Sequence, residues 1–352
     1  GAVSFKLYMG SENPLVPCPP DGAILDAFEV LADLGIRCTV HAESTPILTW
    51  RGERLMKSGR TDAAAHLEQH VDIATVEGVS RTGIFAEWTG CKVHIAHEST
   101  RHSLPHIRFA KERGVDMTVE TCPHYLFLST DDGARLGPNY LRVKPPVREP
   151  GHREPLWQAL LDGTIDILST DHAPHPDESK SCEWQAAANG MVGLESALRV
   201  VHQAMVETGM LTWDAVARVM SAAPARIGRL SGAGTPLEAG APASLTLYDP
   251  APVRTFARGD LHGRSVNSPY LGRDLPGEVR WTLFRGAATV EDGVVAREVI
   301  QGGQVTVDGE VWFVLADICG VLGVANVGNV AARLDEAGLR RRLSRPLPAR
   351  AG

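Results

Sequence analysis

Five runs of β-branched and aliphatic residues, at 2–8, 36–41, 92–97, 115–120 and 165–171, alternate with segments of helical periodicity at 24–34, 67–88, 103–113 and 152–161. No other feature narrows the fold as far. Strands that each lead through a helix to the next strand run in one direction, so the pattern predicts a parallel sheet wrapped by helices. Two further helices are expected at 194–205 and 213–220, after which Gly232, Ala233 and Gly234 break the composition.

Beyond that break the pattern changes. Residues 240–297 carry short alternating runs separated by Pro and Gly, which read as a small β module. From residue 305 a strand-like run containing Val311, Trp312 and Phe313 precedes two helical stretches, 316–322 and 327–334. The expected organisation is an α/β unit of TIM-barrel type over 1–232, a β-sandwich portion over 233–297 and a short α+β segment over 298–352. A closed barrel of this type needs eight strands in about 250 residues. The five runs would be its last five βα units, and the chain opens inside a strand-like run with no initiating Met. It reads as an N-terminally truncated barrel.

The 352 residues are 43% hydrophobic and can bury a large core, while a net charge of −7 gives no general reason for nucleic acid or an anionic membrane as partner. Arg340, Arg341 and Arg342, with Arg345 and Arg350, depart from that average. The six cysteines form no CxxC pair, which argues against a disulfide framework and a thiolate zinc module and suits a reducing cytoplasm. No run approaches the roughly 18 apolar residues of a membrane span.

The chemistry gathers where the apolar runs end. Four of them close on Lys6, His41, His97 and Asp171 in chain order, and the C-terminal tips of barrel strands are where such folds carry their reactive groups. Neutral imidazoles are common zinc ligands, and an aspartate can both bind metal and take a proton from water that a metal has acidified. Taken singly, each has a plainer reading: a snorkelling or paired lysine, a satisfied loop histidine, an aspartate capping a helix before Pro174. Together they point to a metal-dependent hydrolase site, with His175 over its mouth as a substrate contact. His94, three residues before His97, should face the other way and be structural. His124 could reach the pocket or simply pack in its loop. Lys144 and Arg148 belong to a rigid loop read as mainly structural. His66 and His70 have the i, i+4 spacing of a helical metal pair but lack the adjacent glutamate of that motif, so they read as surface residues.

Ser4-Phe5-Lys6, Val40-His41-Ala42-Glu43, His94-Ile95-Ala96-His97-Glu98-Ser99-Thr100, Glu120-Thr121-Cys122-Pro123-His124-Tyr125-Leu126 and Ser169-Thr170-Asp171-His172-Ala173-Pro174-His175 occur in that order. Over residues 1–297 the chain thereby resembles the cyclic amidohydrolases, which include dihydroorotases, allantoinases and hydantoinases. The resemblance implies a TIM barrel with a small β-sandwich, a binuclear zinc site, a small cyclic amide substrate and a homo-oligomer. It makes Lys6 a carboxylated bridge between metals, His41 and His97 ligands of one metal, and Asp171 a ligand of the other and the general base. The 170–175 motif favours the dihydroorotase branch, where His175 would meet the substrate carboxylate; the motifs at 40–44 and 119–125 fit allantoinases equally well. The family's His-x-His pair is absent from the sequence, so one metal well bound and little turnover are expected. The segment from Asp308 to Glu336 is similar to part of the BRO-N domain of phage antirepressors, which implies a DNA-binding or phage-regulatory alternative with weak, salt-sensitive DNA binding.

Overall fold

Five parallel strands lie side by side in chain order: β1 (Ser4–Tyr8), β2 (Arg37–His41), β3 (Val93–Ile95), β4 (Met117–Thr121) and β5 (Ile167–Leu168). The computed structural model describes residues 3–295 except 12–15, 61, 63, 137, 185, 232, 235–236 and 242, together with the strands Gln304–Val307 and Glu310–Phe313. β3, β4 and β5 are buried along their whole length, as in a parallel sheet covered on both faces. Helix Asp21–Leu34 shows how the cover is made: Ile24, Phe28 and Leu31 recur at i, i+4 and i+7 and are buried, and Gly35 ends the helix at φ 65°.

Sheet register decides which side chains meet. Lys6, Thr39, His94 and Thr118 are successive register partners across four strands, and Tyr8 is partnered with His41. Partners in a parallel sheet share a face, and so do residues two apart on one strand. One face therefore presents Lys6, Tyr8, Thr39, His41, His94, Thr118 and Glu120. All of the long β-to-α loops leave from the same end, the C-terminal one.

A second, antiparallel sheet follows: β6 (Leu245–Thr255), β7 (Asp274–Phe284), β8 (Ala287–Glu291) and β9 (Val294–Val295). Arg199, from helix Ala197–Thr208, donates to the carbonyls of Arg254 and Leu275 at 2.7 and 2.6 Å and ties the helices to this sheet. β10 (Gln304–Val307) and β11 (Glu310–Phe313) pair as a hairpin. Both helical stretches expected after it, and the basic residues 340–350, lie outside the described residues.

The strands fall within two residues of expectation at their N-terminal ends, and the main differences are elsewhere. The helix expected over 67–88 is two helices, Ala64–Gln69 and Asp72–Thr89, with Val71 extended between them at ψ 148°. The break is held by pairing: the His70 ring bonds Glu43 and its carbonyl accepts from Arg148. Helix Thr45–Lys57 was not expected; a Ser44 before Pro46 is a start signal that its weak apolar periodicity obscures. Two strands stop early. β3 ends at Ile95 and β5 at Leu168, and the residues that follow turn through left-handed backbone, φ 41° at His97 and 46° at Asp171.

Candidate metal centre

His41 closes β2 on the shared face. Its Nδ1 lies 3.0 Å from His97 Nε2, with both rings buried and their planes at 67°. By alternation from His94, His97 would point away from this face. The left-handed residue corrects that: once the strand ends at Ile95, positive φ brings the ring back to meet His41. Positive φ costs a non-glycine residue about 1 kcal/mol or more, and such strain gathers at functional sites. His94, by contrast, bonds Thr118 at 2.8 Å and Glu120 at 3.1 Å, the structural role expected of it, though on the site's face rather than the opposite one.

Behind the pair stands a carboxylate. Glu43 accepts from His41 Nε2 at 2.8 Å and from His70 Nδ1 at 2.9 Å, and all three residues are buried. Burial alone would push Glu43 up; the His70 and His41 rings more than reverse it and hold the carboxyl well below its usual range. An ionised Glu43 fixes the proton of a neutral His41 on Nε2 and leaves Nδ1 bare. The proton between the rings then belongs to His97 Nε2. Lost hydration lowers both histidines below the ordinary value, His97 well below it, so both rings are neutral at pH 7. Gly10 makes room for this packing: a Cβ there would lie 2.4 Å from Glu43 Cβ and 3.1 Å from His41 Cδ2.

Lys6 and Asp171 complete the group electrostatically. Lost hydration pulls the half-buried Lys6 ammonium below the usual lysine value, against Glu120 and Asp171, which pull it up. Asp171 is pushed up to about 6 by lost hydration, opposed by Lys6 and assisted by Glu120. The structure pairs His41 with His97, and it leaves Lys6 and Asp171 near enough to act on each other's charge and Lys6 near enough to act on both rings. His175 stands apart from them: its Nε2 donates to the Asn189 carbonyl at 2.9 Å and its backbone N–H to Asn267 at 3.4 Å. No helix starts at Asp171, so helix capping does not account for it; the next helix of eight or more residues is Ala197–Thr208.

The donor set suits a metal ion. Two ligating nitrogens at about 2.0–2.1 Å from tetrahedral zinc are about 3.3 Å apart, close to the 3.0 Å at which a single proton now separates His41 from His97. Both are neutral, and a carboxylate behind one of them is the usual partner of a metal-bound histidine.

A second group lies on the rim of the same end. Asp72, His102 and His152 bring one ligand atom each within 4.8 Å of one another and could hold a metal ion. His102 Nε2 and His152 Nε2 are 3.5 and 3.6 Å from Asp72 Oδ2. Here the protons are arranged differently. The Arg101 backbone N–H donates to His152 Nδ1 at 3.2 Å, which leaves the proton of a neutral ring on Nε2, facing the carboxylate. A metal ligated by that nitrogen would require the proton on Nδ1, against an N–H already pointing there. The same carboxylate is 3.0 Å from the buried Arg148 guanidinium.

Several sequence readings need correction. His66 and His70 are not surface residues: both are buried, His66 donating from Nε2 to the Val143 carbonyl at 2.9 Å and His70 bonding Glu43. The polar residues Glu68, Gln69 and Asp72 beside them hide this from a spacing argument. Arg148 is structural as expected, bonding Ser99, Thr75 and the His70 carbonyl. His124 is packed not in a loop but in the short helix Pro123–Phe127, with burial lowering its pKa to about 3. Sequence reasoning does not single out Glu43 or Glu120 as site residues. Glu43 has the same strand parity as His41, and that signal could have found it.

Residues 6–295 match the amidohydrolase family. The chain is 54% identical over 221 residues to a dihydroorotase of Leifsonia xyli subsp. xyli, covering 63% of this chain and 50% of that protein. It is 42% identical over 273 residues to a dihydroorotase of Mycobacterium tuberculosis, covering 76% and 62% respectively. An allantoinase of Rubrobacter xylanophilus is 33% identical over 297 residues, covering 84% of the chain and 65% of that protein. The chain thus spans between half and two thirds of the length of these curated relatives. Among solved structures, an L-hydantoinase (dihydropyrimidinase) of Arthrobacter aurescens superposes with a TM-score of 0.79 at 30% identity, covering 85% of this chain and 67% of that one. The five parallel strands, their helices and the appended antiparallel sheet are those of the TIM-barrel hydrolases to which these proteins belong, and the chain is a member of the amidohydrolase family.

Proposed function

We propose that this chain carries the activity of a zinc-dependent cyclic amidohydrolase of the dihydroorotase type, which opens the ring amide of dihydroorotate to N-carbamoyl-aspartate. One observation carries the choice of substrate: the dihydroorotase relatives reach 54% identity, against 33% for the allantoinase and 30% for the L-hydantoinase. Zinc, when bound, supplies Lewis acidity that polarises a carbonyl and lowers the pKa of water.

In this reading His41 Nδ1 and His97 Nε2 hold the ion. Lys6, its amine form favoured by lost hydration, would form an N–C bond from Nζ to carbon dioxide, release one proton to solvent and offer the carbamate oxygens to the ion. Asp171, with a pKa of about 6, is ionised at neutral pH and takes the proton from the attacking water, then returns it to the leaving ring nitrogen. His175, whose Nε2 donates to the Asn189 carbonyl, would exchange that bond for one to the substrate carboxylate. The sequence holds no His-x-His pair, so we assign this chain one well-formed ion position and not two. Among the described residues no helix is long and apolar enough to cross a membrane. Five described cysteines are free thiols, which suits a cytoplasmic enzyme.

Turnover of dihydroorotate, allantoin and hydantoin by the zinc-loaded chain tests the assignment. Dihydroorotate should be hydrolysed fastest, and its hydrolysis should vanish in D171A. Preferential opening of allantoin or hydantoin would replace the dihydroorotase reading, and the absence of any turnover by a chain that binds zinc would reject activity for this chain.

A further inference from the structure

We propose that His70 is a positioning residue for the metal centre: acting through Glu43, it holds the His41 ring with its bare Nδ1 turned toward His97. The inference rests on the reading of His41 and His97 as metal ligands. A lone carboxylate can rotate about its last bond and accept a hydrogen bond at either oxygen. Glu43 is denied that freedom, because its Oε1 takes the His70 Nδ1 proton at 2.9 Å while its Oε2 takes the His41 Nε2 proton at 2.8 Å.

His70 is itself fixed. Its N–H donates to the His66 carbonyl at 3.0 Å, and its own carbonyl accepts from Arg148 Nη1. Arg148 is anchored in turn by Thr75 at 3.1 Å, Ser99 at 3.2 Å and Asp72 at 3.0 Å. The backbone approaches as closely as it can on the same side: a Cβ on Gly78 would lie 2.6 Å from the Ala42 carbonyl carbon. The break between helices at His70 and Val71 thus places a ring against Glu43 that a continuous helix would carry elsewhere. His70, Glu43 and Arg148 are buried behind the ring pair, so their effect must appear in ring orientation and ion affinity.

The test compares His70→Leu, which removes the donor, with His70→Asn, whose side-chain amide places an N–H near the position of Nδ1. Zinc chloride is titrated in competition with a chromophoric chelator, and long-range 1H–15N spectra report the His41 tautomer in the metal-free protein. Partners of metal-bound histidines typically contribute 10–100-fold in affinity. H70L should therefore bind zinc about 10–100-fold more weakly and lose the single Nε2–H tautomer of His41, while H70N stays within about threefold of wild type. If circular dichroism shows H70L unfolded, H70Q takes its place, because its amide lies at the Nε2 end and cannot serve Glu43. Wild-type affinity and an unchanged tautomer in the donor-less variant would overturn the proposal, as would a wild-type His41 protonated on Nδ1. A wild-type chain that binds no zinc would reject the metal reading instead, and the tautomer comparison would still decide the part played by His70.

Discussion

At the inner cluster His41 and His97 turn neutral ring nitrogens toward each other at 3.0 Å; at the rim His102 and His152 turn theirs toward Asp72 at 3.5 and 3.6 Å. Both groups combine histidines with a carboxylate at the C-terminal end of the sheet. What separates them is where the protons sit. Glu43 stands behind His41 and draws that ring's own proton out of the shared space, leaving a lone pair on Nδ1; the proton that remains between the rings is on His97 Nε2, and His97 Nδ1 has no partner among the described residues that would prevent its moving there. Asp72 stands in the shared space and draws the His152 proton into it, because the Arg101 N–H occupies the far side of that ring. Proximity of ligand types is therefore a weaker criterion than the direction of their lone pairs. We take the inner pair as the metal centre and the rim group, although its three ligand atoms lie within 4.8 Å of one another, as a hydrogen-bonded cluster beside Arg148.

Glu43→Ala leaves two buried N–H donors without an acceptor, and at about 1–3 kcal/mol for each unsatisfied group it should destabilise the chain by about 3–5 kcal/mol in urea unfolding. A loss below about 1 kcal/mol would mean that the inner network contributes no more than a surface pair. Gly10→Ala drives a methyl into Glu43 and should cost about 1–3 kcal/mol in the same experiment, with weaker zinc binding alongside.

Asp171 gives a pH dependence whose sign can be worked out. Its pKa rises from 3.8 to about 6 on folding, so the folded chain holds a proton between those values that the unfolded chain releases. Stability from this group is present near pH 4 and lost as pH rises through about 6. Asp171→Asn imitates the neutral acid, so the metal-free variant should match wild type near pH 4 and exceed it at pH 8 by about 1–2 kcal/mol, a figure discounted for the partial exposure of the site. A variant less stable than wild type at pH 8 would show that Lys6 outweighs the lost hydration. The smallest effect belongs to the rim: His102 is 49% exposed, and His102→Ala should change unfolding by less than about 0.5 kcal/mol and zinc affinity by less than about twofold.

Much of this was readable from residue order. Strand-helix alternation located the five parallel strands of the described residues, and of the polar residues ending four of the runs, His41 and His97 meet directly. Alternation failed at the two places where the backbone is left-handed. His97 follows a strand that stops two residues earlier, and Asp171 follows one that stops at Leu168; neither stop is marked by Gly or Pro. Glu43 and His70 were lost for another reason: their pairing spans 27 residues and depends on a helix break that side-chain contacts, not local propensity, maintain. The likeness over residues 308–336 falls largely outside the described residues, and the family match ends at 295.

The most direct test is to locate bound zinc by anomalous diffraction at its absorption edge in crystals of the zinc-loaded chain. A peak about 2.0–2.1 Å from both His41 Nδ1 and His97 Nε2 is the predicted result. A fully occupied peak at Asp72, His102 and His152 with none between His41 and His97 would contradict the account.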